Sequence, residues 1–245
     1  MSVEQYVTSL QQRLQQAANE KTRLWWERYL KHEIRFRGVG MPAVRACVAA
    51  WHAETGLADK PIEVMMETTM ALFTSAIAED KLAGIVCVER YIRDKVPGSM
   101  IVDCTGQVFE NRLIHDWSTC DWFCVRVLGP KLRDEGLPFA RGLEAWSREQ
   151  YLWQARAALI PFTAVAGEKK YRAIIGRIAA RLVARPERFA KTAVGWVLRE
   201  VEAHDRAFVV DFVRAHAAAL SVEAARNALK HVPREESAPL IALVR

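Results

Sequence analysis

Two residues that can stabilise a cation lie one helical turn apart in the segment from His115 to Trp122. Trp117 and Asp121 are four positions apart, so on a helix an indole ring and a carboxylate project from the same face. The face of an indole attracts cations, and the carboxylate adds a full negative charge. Such a pair stabilises positive charge that a ligand already carries or that develops in a transition state. The alternative interpretation is a half-buried tryptophan near an N-capping aspartate.

Two further tryptophans each precede an arginine by three positions. They are Trp153 before Arg156 and Trp196 before Arg199. An aromatic ring beside an arginine is typical of nucleic-acid binding, because arginine pairs with phosphate while the ring packs on a sugar or base. Core packing is the alternative for Trp153. Gly195 costs a helix up to about 1 kcal/mol relative to alanine, so we expect close helix packing or a close ligand there.

The positive charge of the chain is concentrated in one region. The formal net charge is +6, whereas Arg141 to Arg199 alone contains 12 basic and 4 acidic residues. A local positive field of this kind favours a polyanionic partner, since lysine and arginine displace counterions from phosphates. The alternative is a set of solvated helix faces, because Arg177, Arg181 and Arg185 recur at a spacing of four.

Several familiar catalytic motifs are absent from the sequence. There is no GxxxxGK[ST], GxGxxG, HExxH or GxSxG motif, which argues against nucleotide, dinucleotide, zinc-protease and serine-hydrolase chemistry. The five cysteines lack CxxC spacing, and the histidines lie apart from them and from each other. His204 followed by Asp205 is better interpreted as a helix end and an N-cap than as a ligand pair. We therefore expect no metal site and no cofactor.

Helical periodicity extends over most of the chain, and no segment alternates like a strand. Apolar residues recur at three- and four-residue spacing in Leu24 to Phe36, Ala43 to Glu54, Ile62 to Thr74, Lys81 to Ile92, Glu149 to Val165, Tyr171 to Val183 and Arg188 to Val201. Prolines, Pro239 among them, are expected between these runs or at their starts, and Pro161 predicts a break after Ile160.

Short linkers between helices of similar length predict stacked helical hairpins. Pairs recur at roughly 35 to 45 residues, which favours HEAT-like repeats in a curved α-solenoid over a bundle. We expect a single domain over residues 1–245, since no long linker divides the chain. No apolar run reaches the length of a membrane span and the N-terminus lacks a signal pattern, so we expect a soluble protein of the cytoplasm, used at the nucleoid in a bacterial-type cell.

The motifs and their order resemble the AlkD-type DNA alkylation repair glycosylases. The resemblance runs from about Leu24 to His231 and rests on five segments: Tyr29-Leu30-Lys31-His32 with Gly38, Trp117 to Asp121, Trp153-Gln154-Ala155-Arg156, Lys191 to Glu200, and Arg226 to His231. It implies HEAT-like repeats whose concave basic face binds duplex DNA as a monomer. It also implies a monofunctional glycosylase that removes cationic N-alkylated purines of the 3-methyladenine and 7-methylguanine type, without a metal.

The resemblance also implies roles for individual residues. Asp121 matches the carboxylate that stabilises the oxocarbenium-like sugar and positions water, and Trp117 and Trp196 match rings that flank the damaged nucleotide. Arg156 matches an arginine on the DNA backbone, and Tyr29 and Arg199 join the DNA-contacting surface. The family often has an aromatic residue before the motif's tryptophan and an acid after it, where this chain has Asp116 and Ser118.

Two alternative functions are compatible with the same helical architecture. One is a HEAT-like DNA-binding protein without catalysis, which the changes at Asp116 and Ser118 allow. The other is a protein-binding solenoid scaffold, which fits the basic region less well. A helical repeat fold does not by itself choose among these functions.

Overall fold

The computed structural model describes residues 1–244, and nearly all of its regular structure is helical. Among these residues the only β pairing is an isolated bridge between Arg35 and Ile77. The predicted all-α fold class is therefore confirmed. The single domain and the concave basic face remain predictions.

The chain comprises two compact units, Met1–Val127 and a second that begins at Leu128. The helices of the first unit are α1 Val3–Gln16, α2 Glu20–Tyr29, α3 Met41–Thr55, α4 Ile62–Phe73, α5 Ala78–Cys87, α6 Gly98–Glu110 and α7 Trp117–Phe123. Those of the second are α8 Gly129–Glu135, α9 Leu137–Trp146, α10 Leu152–Ala157, α11 Arg172–Val183, α12 Arg188–Glu202, α13 Arg206–Ala215, α14 Val222–Ala228 and α15 Arg234–Ala242.

Each unit has its own apolar core built from helices that lie within a few elements of one another in the sequence. In the first unit α1 packs against α3 and α4, and α5 packs against α3, α4 and α7. In the second, α12 is the central helix, with α10, α11, α13 and α14 against it. Every residue of α5 is buried, so α5 is the central support of the first unit.

Short polar side chains begin several helices, as their preference for the N-cap position predicts. Asn19 caps α2, Asp205 caps α13 and Ser221 caps α14, each accepting a hydrogen bond from a backbone N–H. Asp205 is thus the N-cap that the sequence indicated after His204. Pro239 is an exception to the proline prediction, because it lies inside α15 rather than between helices. Leu240 beside it is buried, and its packing holds that segment in place.

The helix predicted over Leu24 to Phe36 is wrong beyond Tyr29. Lys31 and His32 adopt left-handed conformations with φ of 52° and 61°, which end the helix. The next residues are not helical, yet Ile34 and Phe36 are buried, so their apolar spacing reflects core packing rather than a helix. Gly38 has a φ of +88°, and a Cβ there would lie 2.0 Å from the carbonyl oxygen of Asn19. Only glycine fits this crossing.

The helix predicted over Glu149 to Val165 is shorter and breaks earlier than expected. Helix α10 ends at Ala157, and the chain continues as a 3₁₀ segment, Ile160–Val165. A proline ring clashes with the carbonyl four residues before it, and for Pro161 that residue is Ala157. The break therefore falls where the clash occurs, not directly before the proline.

Two helices of the first unit end in wider, π-helical turns. They are Val88–Ile92 after α5 and Cys124–Leu128 after α7. π-helical turns often mark functional segments, because the extra residue redirects the side chains that follow. The second of these turns follows the helix that carries Trp117 and Asp121.

Candidate catalytic carboxylate and DNA-contacting residues

Helix α7 begins at Trp117 because Asp116 caps it. One carboxylate oxygen of Asp116 accepts a hydrogen bond from the Thr119 backbone N–H at 2.9 Å, and the other accepts one from the Thr119 hydroxyl. Asp116 is buried, and its carboxylate stabilises the N-terminus of α7. The capping role that the sequence left open therefore belongs to Asp116, and Asp121 lies in the body of the helix.

Trp117 and Asp121 are both partly exposed, one helical turn apart on α7. Trp117 packs against a small buried cluster of Leu30, Ile34, Phe36 and Ala78, which fixes its ring. Asp121 is not among the fully buried residues of α7. The predicted arrangement is thus present on α7. The Trp117 indole is held by packing, and Asp121 lies partly exposed one turn away.

Tyr29 meets Trp117 across the first unit. The ring centroids are 5.5 Å apart and the planes meet at 71°, an edge-to-face contact that aromatic quadrupoles favour. The structure therefore brings Tyr29, which only the resemblance linked to this site, against the Trp117 and Asp121 pair that the helical spacing predicted. Sequence reasoning passed over Trp25 and Trp26, although two consecutive tryptophans on a polar helix were a visible signal.

Three consecutive charged residues of α5 support this arrangement from the interior. Glu79 accepts hydrogen bonds from the backbone N–H groups of Gly38 at 2.7 Å and Val39 at 2.9 Å. Asp80 forms a buried ion pair with Arg37, with a shortest distance of 2.6 Å. These bonds hold the non-helical segment after α2 against α5. A buried charged triplet could not be expected from the sequence, because consecutive charged residues usually lie in solvent.

Lys81 anchors the chain just before α7. Its Nζ donates hydrogen bonds to the carbonyl oxygens of Phe73 at 2.5 Å and Leu113 at 2.6 Å. Burial lowers the pKa of Lys81 to about 8, and the negative charges of Asp116 and Asp80 oppose that shift. Lys81 is therefore a positioning residue for the loop that leads to the Asp116 cap.

Trp122, next to Asp121, lies between two arginines. The guanidinium of Arg126 is 5.0 Å from the Trp122 ring centroid, and that of Arg45 is 5.9 Å away. Glu89 pairs with Arg45 at 2.7 Å and lies 3.8 Å from Arg126. This cluster fixes the ring beside Asp121 by cation–π contacts.

In the second unit, α12 carries the other predicted aromatic and arginine residues. Trp196 is partly exposed and Arg199 follows within one turn. Arg199 donates to Asn227 at 3.0 Å and to Glu200 at 2.7 Å, so the motifs around Arg199 and Asn227 meet in space. A Cβ on Gly195 would lie 2.6 Å from the carbonyl oxygen of Ala224. Close helix packing is the compensation that the sequence led us to expect at this glycine.

Arg156 is buried, with only 4% of its surface exposed. Its guanidinium donates to the carbonyl oxygen of Phe189 at 2.6 Å and to the Thr192 hydroxyl at 3.3 Å. Trp153, on the same helix, packs against Phe189 with ring centroids 5.3 Å apart. These contacts fix the start of α12 against α10. Contact of Arg156 with a DNA backbone remains a prediction.

Many cations of the basic region are held by acids of the same unit. Arg177 binds Glu144 through two hydrogen bonds, and Arg188 binds Glu223 in the same way. The Arg177 hydrogen bonds lower the pKa of Glu144. Arg172 pairs with Asp205 at 3.0 Å, which lowers the pKa of that acid against the opposing effect of its burial. The spacing of Arg177, Arg181 and Arg185 thus serves contacts between helices, including Arg185 to the carbonyls of Glu149 and Gln150.

Four cations of this region make no ion pair with any residue in the described range 1–244: Arg141, Arg148, Lys169 and Lys191. Both arginines are exposed, and Lys191 lies on α12 five positions before Trp196. Unpaired cations contribute most to binding a polyanion, since no internal acid competes for them.

No group of three or more histidine, cysteine, aspartate or glutamate side chains within 1–244 is arranged to hold a metal ion. No helix in this range is long and apolar enough to cross a membrane.

Comparisons with known proteins identify the fold and the family of this chain. A solved structure described as a predicted DNA alkylation repair enzyme from Enterococcus faecalis has a similar fold, with a TM-score of 0.76 and 18% sequence identity over 89% of this chain and 97% of that one. No curated protein sequence matches this chain. The family model described as DNA alkylation repair enzyme matches residues 10–232, which include all the site residues considered above. The chain therefore belongs to the family of DNA alkylation repair enzymes.

Proposed function

We propose that this protein is a DNA glycosylase that removes cationic N-alkylated purines, of the 3-methyladenine and 7-methylguanine type, from duplex DNA. The observation that carries the proposal is the pairing of an accessible Asp121 with a packed Trp117 one turn away on α7. Because Asp116 already caps the helix, Asp121 has a position suited to another task. Family membership supplies the DNA substrate class.

The chemistry requires little of the protein. Alkylation at N3 or N7 gives the purine a positive charge, so it leaves as a neutral base when the C1′–N bond breaks and its electron pair moves to the ring. The deoxyribose then carries oxocarbenium character, which a nearby carboxylate stabilises. Water adds to C1′ and its proton passes to Asp121 or to solvent. No second acid is needed, since the leaving group is already charged.

The other site residues have supporting roles in this proposal. Trp117 and Trp196 contact the sugar and flank the damaged nucleotide, while Tyr29 and Arg199 add contacts to the DNA. Arg156 either contacts the DNA backbone or positions α12 through its hydrogen bonds to Phe189 and Thr192. We expect a monomer that uses neither metal nor cofactor, in the cytoplasm at the nucleoid.

The test is release of 7-methylguanine from a duplex oligonucleotide by wild-type protein and by Asp121→Asn. We expect the variant to slow release by at least about 100-fold, the usual scale for removing one electrostatic group from an active site. Duplex binding should change little. Asp103→Asn is the matched control, because Asp103 is an exposed aspartate on another helix of the same unit.

Three results would contradict parts of this proposal. Equal base release by wild type and Asp121→Asn rejects the role of the carboxylate. Salt-dependent duplex binding with no release of 3-methyladenine or 7-methylguanine identifies a DNA-binding protein without catalysis. Duplex affinity that does not fall as salt rises points to a protein-binding scaffold instead.

A further inference from the structure

Helix α2 exposes an aromatic surface that the core does not use. None of its residues is buried, whereas a helix on a globular protein normally buries an apolar stripe. Trp25 is 56% exposed and Tyr29 52%, and Leu24 beside them is 48% exposed. Adjoining large apolar side chains that remain in solvent commonly mark a binding surface.

The two exposed rings are already arranged as a stack. Trp25 and Tyr29 have centroids 5.1 Å apart and planes inclined by 11°. Trp26 meets Trp25 edge to face at 4.7 Å and stacks on the buried Phe36 at 5.8 Å. Trp26 thus holds the Trp25–Tyr29 stack against the core. Binding another flat ring would therefore cost little side-chain entropy, because these rings are already ordered.

This stack is continuous with the candidate catalytic helix. Tyr29 also contacts Trp117, and Trp117 is one turn from Asp121. A flat ligand on Trp25 therefore binds to the same run of aromatic rings that reaches the reacting centre in our proposed function.

Charge along α2 selects the kind of ligand. Lys21 and Arg28 are exposed and lie four positions before and three after Trp25, on the same helical face. With Trp25, Leu24, Thr22 and Glu20 they border an open space of about 800 Å³ along the outer surface of α2. Glu20 pairs with Arg23 at 3.0 Å, which leaves the cations beside Trp25 available. Flat rings flanked by cations suit a base with its phosphates.

We propose that the Trp25–Tyr29 stack binds a nucleobase that is not paired in the duplex, with Lys21 and Arg28 on the adjoining phosphates. The proposal rests on DNA being the substrate in the proposed function. It adds a site for an unpaired nucleotide next to the site of base release. A base stacks on the outer face of Trp25, independently of its identity, because every base has a π face.

The experiment compares two DNA probes, a fully paired duplex and the same duplex with one unpaired nucleotide in a bulge, both free of alkylation. We expect the wild type to bind the bulged duplex more tightly. Trp25→Ala should weaken that binding by about 10-fold, within the 1–3 kcal/mol measured for stacking of one base on one ring. Its affinity for the paired duplex should change less than about twofold.

Two matched variants keep the result specific. Trp25→Phe retains a flat ring and should retain most of the preference for the bulge. Leu243→Ala removes an apolar side chain of similar exposure, 52%, from the second unit and should have no effect. Circular dichroism checks folding, which we expect to be unchanged because Trp25 contributes little to the core.

Other outcomes would overturn the inference without touching the glycosylase assignment. Equal loss of affinity for both probes on Trp25→Ala shows that the ring does not read an unpaired base. A dimer in sedimentation that Trp25→Ala abolishes shows that a second copy covers this surface. Release of 7-methylguanine by wild type is measured separately, so a failed bulge preference with intact base release rejects only this inference.

Discussion

The two compact units differ in the contacts that hold their central helices. In the first, Glu79, Asp80 and Lys81 are buried and bind the segment after α2 and the loop before α7. The rings of Trp25 and Tyr29 on α2 remain exposed to solvent. In the second unit, exposed ion pairs such as Arg177–Glu144 accompany buried charges such as Arg156, and the central helix packs by close backbone contact at Gly195. The clearest difference is therefore the buried Asp80–Arg37 ion pair of the first unit against the close helix contact of the second.

The largest effect should come from breaking a buried ion pair. Asp80→Asn leaves the Arg37 guanidinium buried without its countercharge, which typically costs about 3–5 kcal/mol. Glu223→Gln breaks the exposed pair with Arg188 in the second unit and should cost less than about 1 kcal/mol. Urea denaturation at pH 7 measures both. Similar costs for the two variants would remove the proposed difference between the units.

Acidification should destabilise the protein through His52 in the first unit. Burial lowers the pKa of His52 to about 4, with the nearby charge of Lys95 acting in the same direction. Between pH 6.5 and 4, His52 is protonated in the unfolded chain but stays neutral in the folded protein. Its contribution to the free energy of unfolding is therefore complete above pH 6.5 and is lost as the pH falls toward 4. We expect about 2 kcal/mol to be lost between pH 7.5 and pH 5.

The check is the free energy of unfolding at both pH values for wild type and His52→Phe. The variant keeps the ring stacked on Tyr91, whose centroid is 3.6 Å away, but cannot titrate. Its loss over the same pH range should be smaller by that amount. The lowered pKa values of Glu144 and Asp205 act in the second unit only at lower pH, near and below their ordinary values of 4.5 and 3.8. An equal pH response in both proteins would contradict the role of His52.

The shape of the helix contact in the second unit can be tested at Gly195. Gly195→Ala places a Cβ against the backbone of Ala224 and forces α12 and α14 apart. Overpacking of this kind costs about 1–3 kcal/mol and exceeds the gain in helix propensity, which leaves a net loss of about 1–2 kcal/mol. Gly106→Ala is the control, because a Cβ at Gly106 meets nothing within 4 Å. Thermal unfolding should show a lower Tm for the first variant and an equal or higher Tm for the second.

The smallest effect concerns the unpaired cations of the second unit. Lys191→Gln should weaken duplex binding about two- to threefold. It should also make the slope of log K against log salt concentration less steep, by about the amount that one phosphate contact contributes. Arg177→Gln should change both less, since Glu144 already neutralises that arginine. Fluorescence anisotropy over a range of salt concentrations measures the slopes. A larger effect at Arg177 than at Lys191 would show that internal pairing does not decide which cations meet DNA.

Part of the candidate site could be predicted from local pattern alone. The spacing of Trp117 and Asp121 predicted a shared helix face, and the structure has that helix. The glycine at 195 indicated close packing because a helix rarely tolerates glycine without a reason. Arg156 shows the limit: its spacing from Trp153 gave no sign that its guanidinium is buried against Phe189 and Thr192.

The sequence by itself determined that the protein is all-helical, where several of its helices lie, and which motifs place it among DNA alkylation repair proteins. These properties follow from local spacing, capping and proline or glycine chemistry, which act over a few residues. Tertiary structure alone decided that Ile34 and Phe36 are packed without a helix and that Lys81 is buried beneath Leu113. It also joined Tyr29 to Trp117. Such contacts depend on which distant segments meet, and apolar periodicity carries no information about the identity of the partner segment.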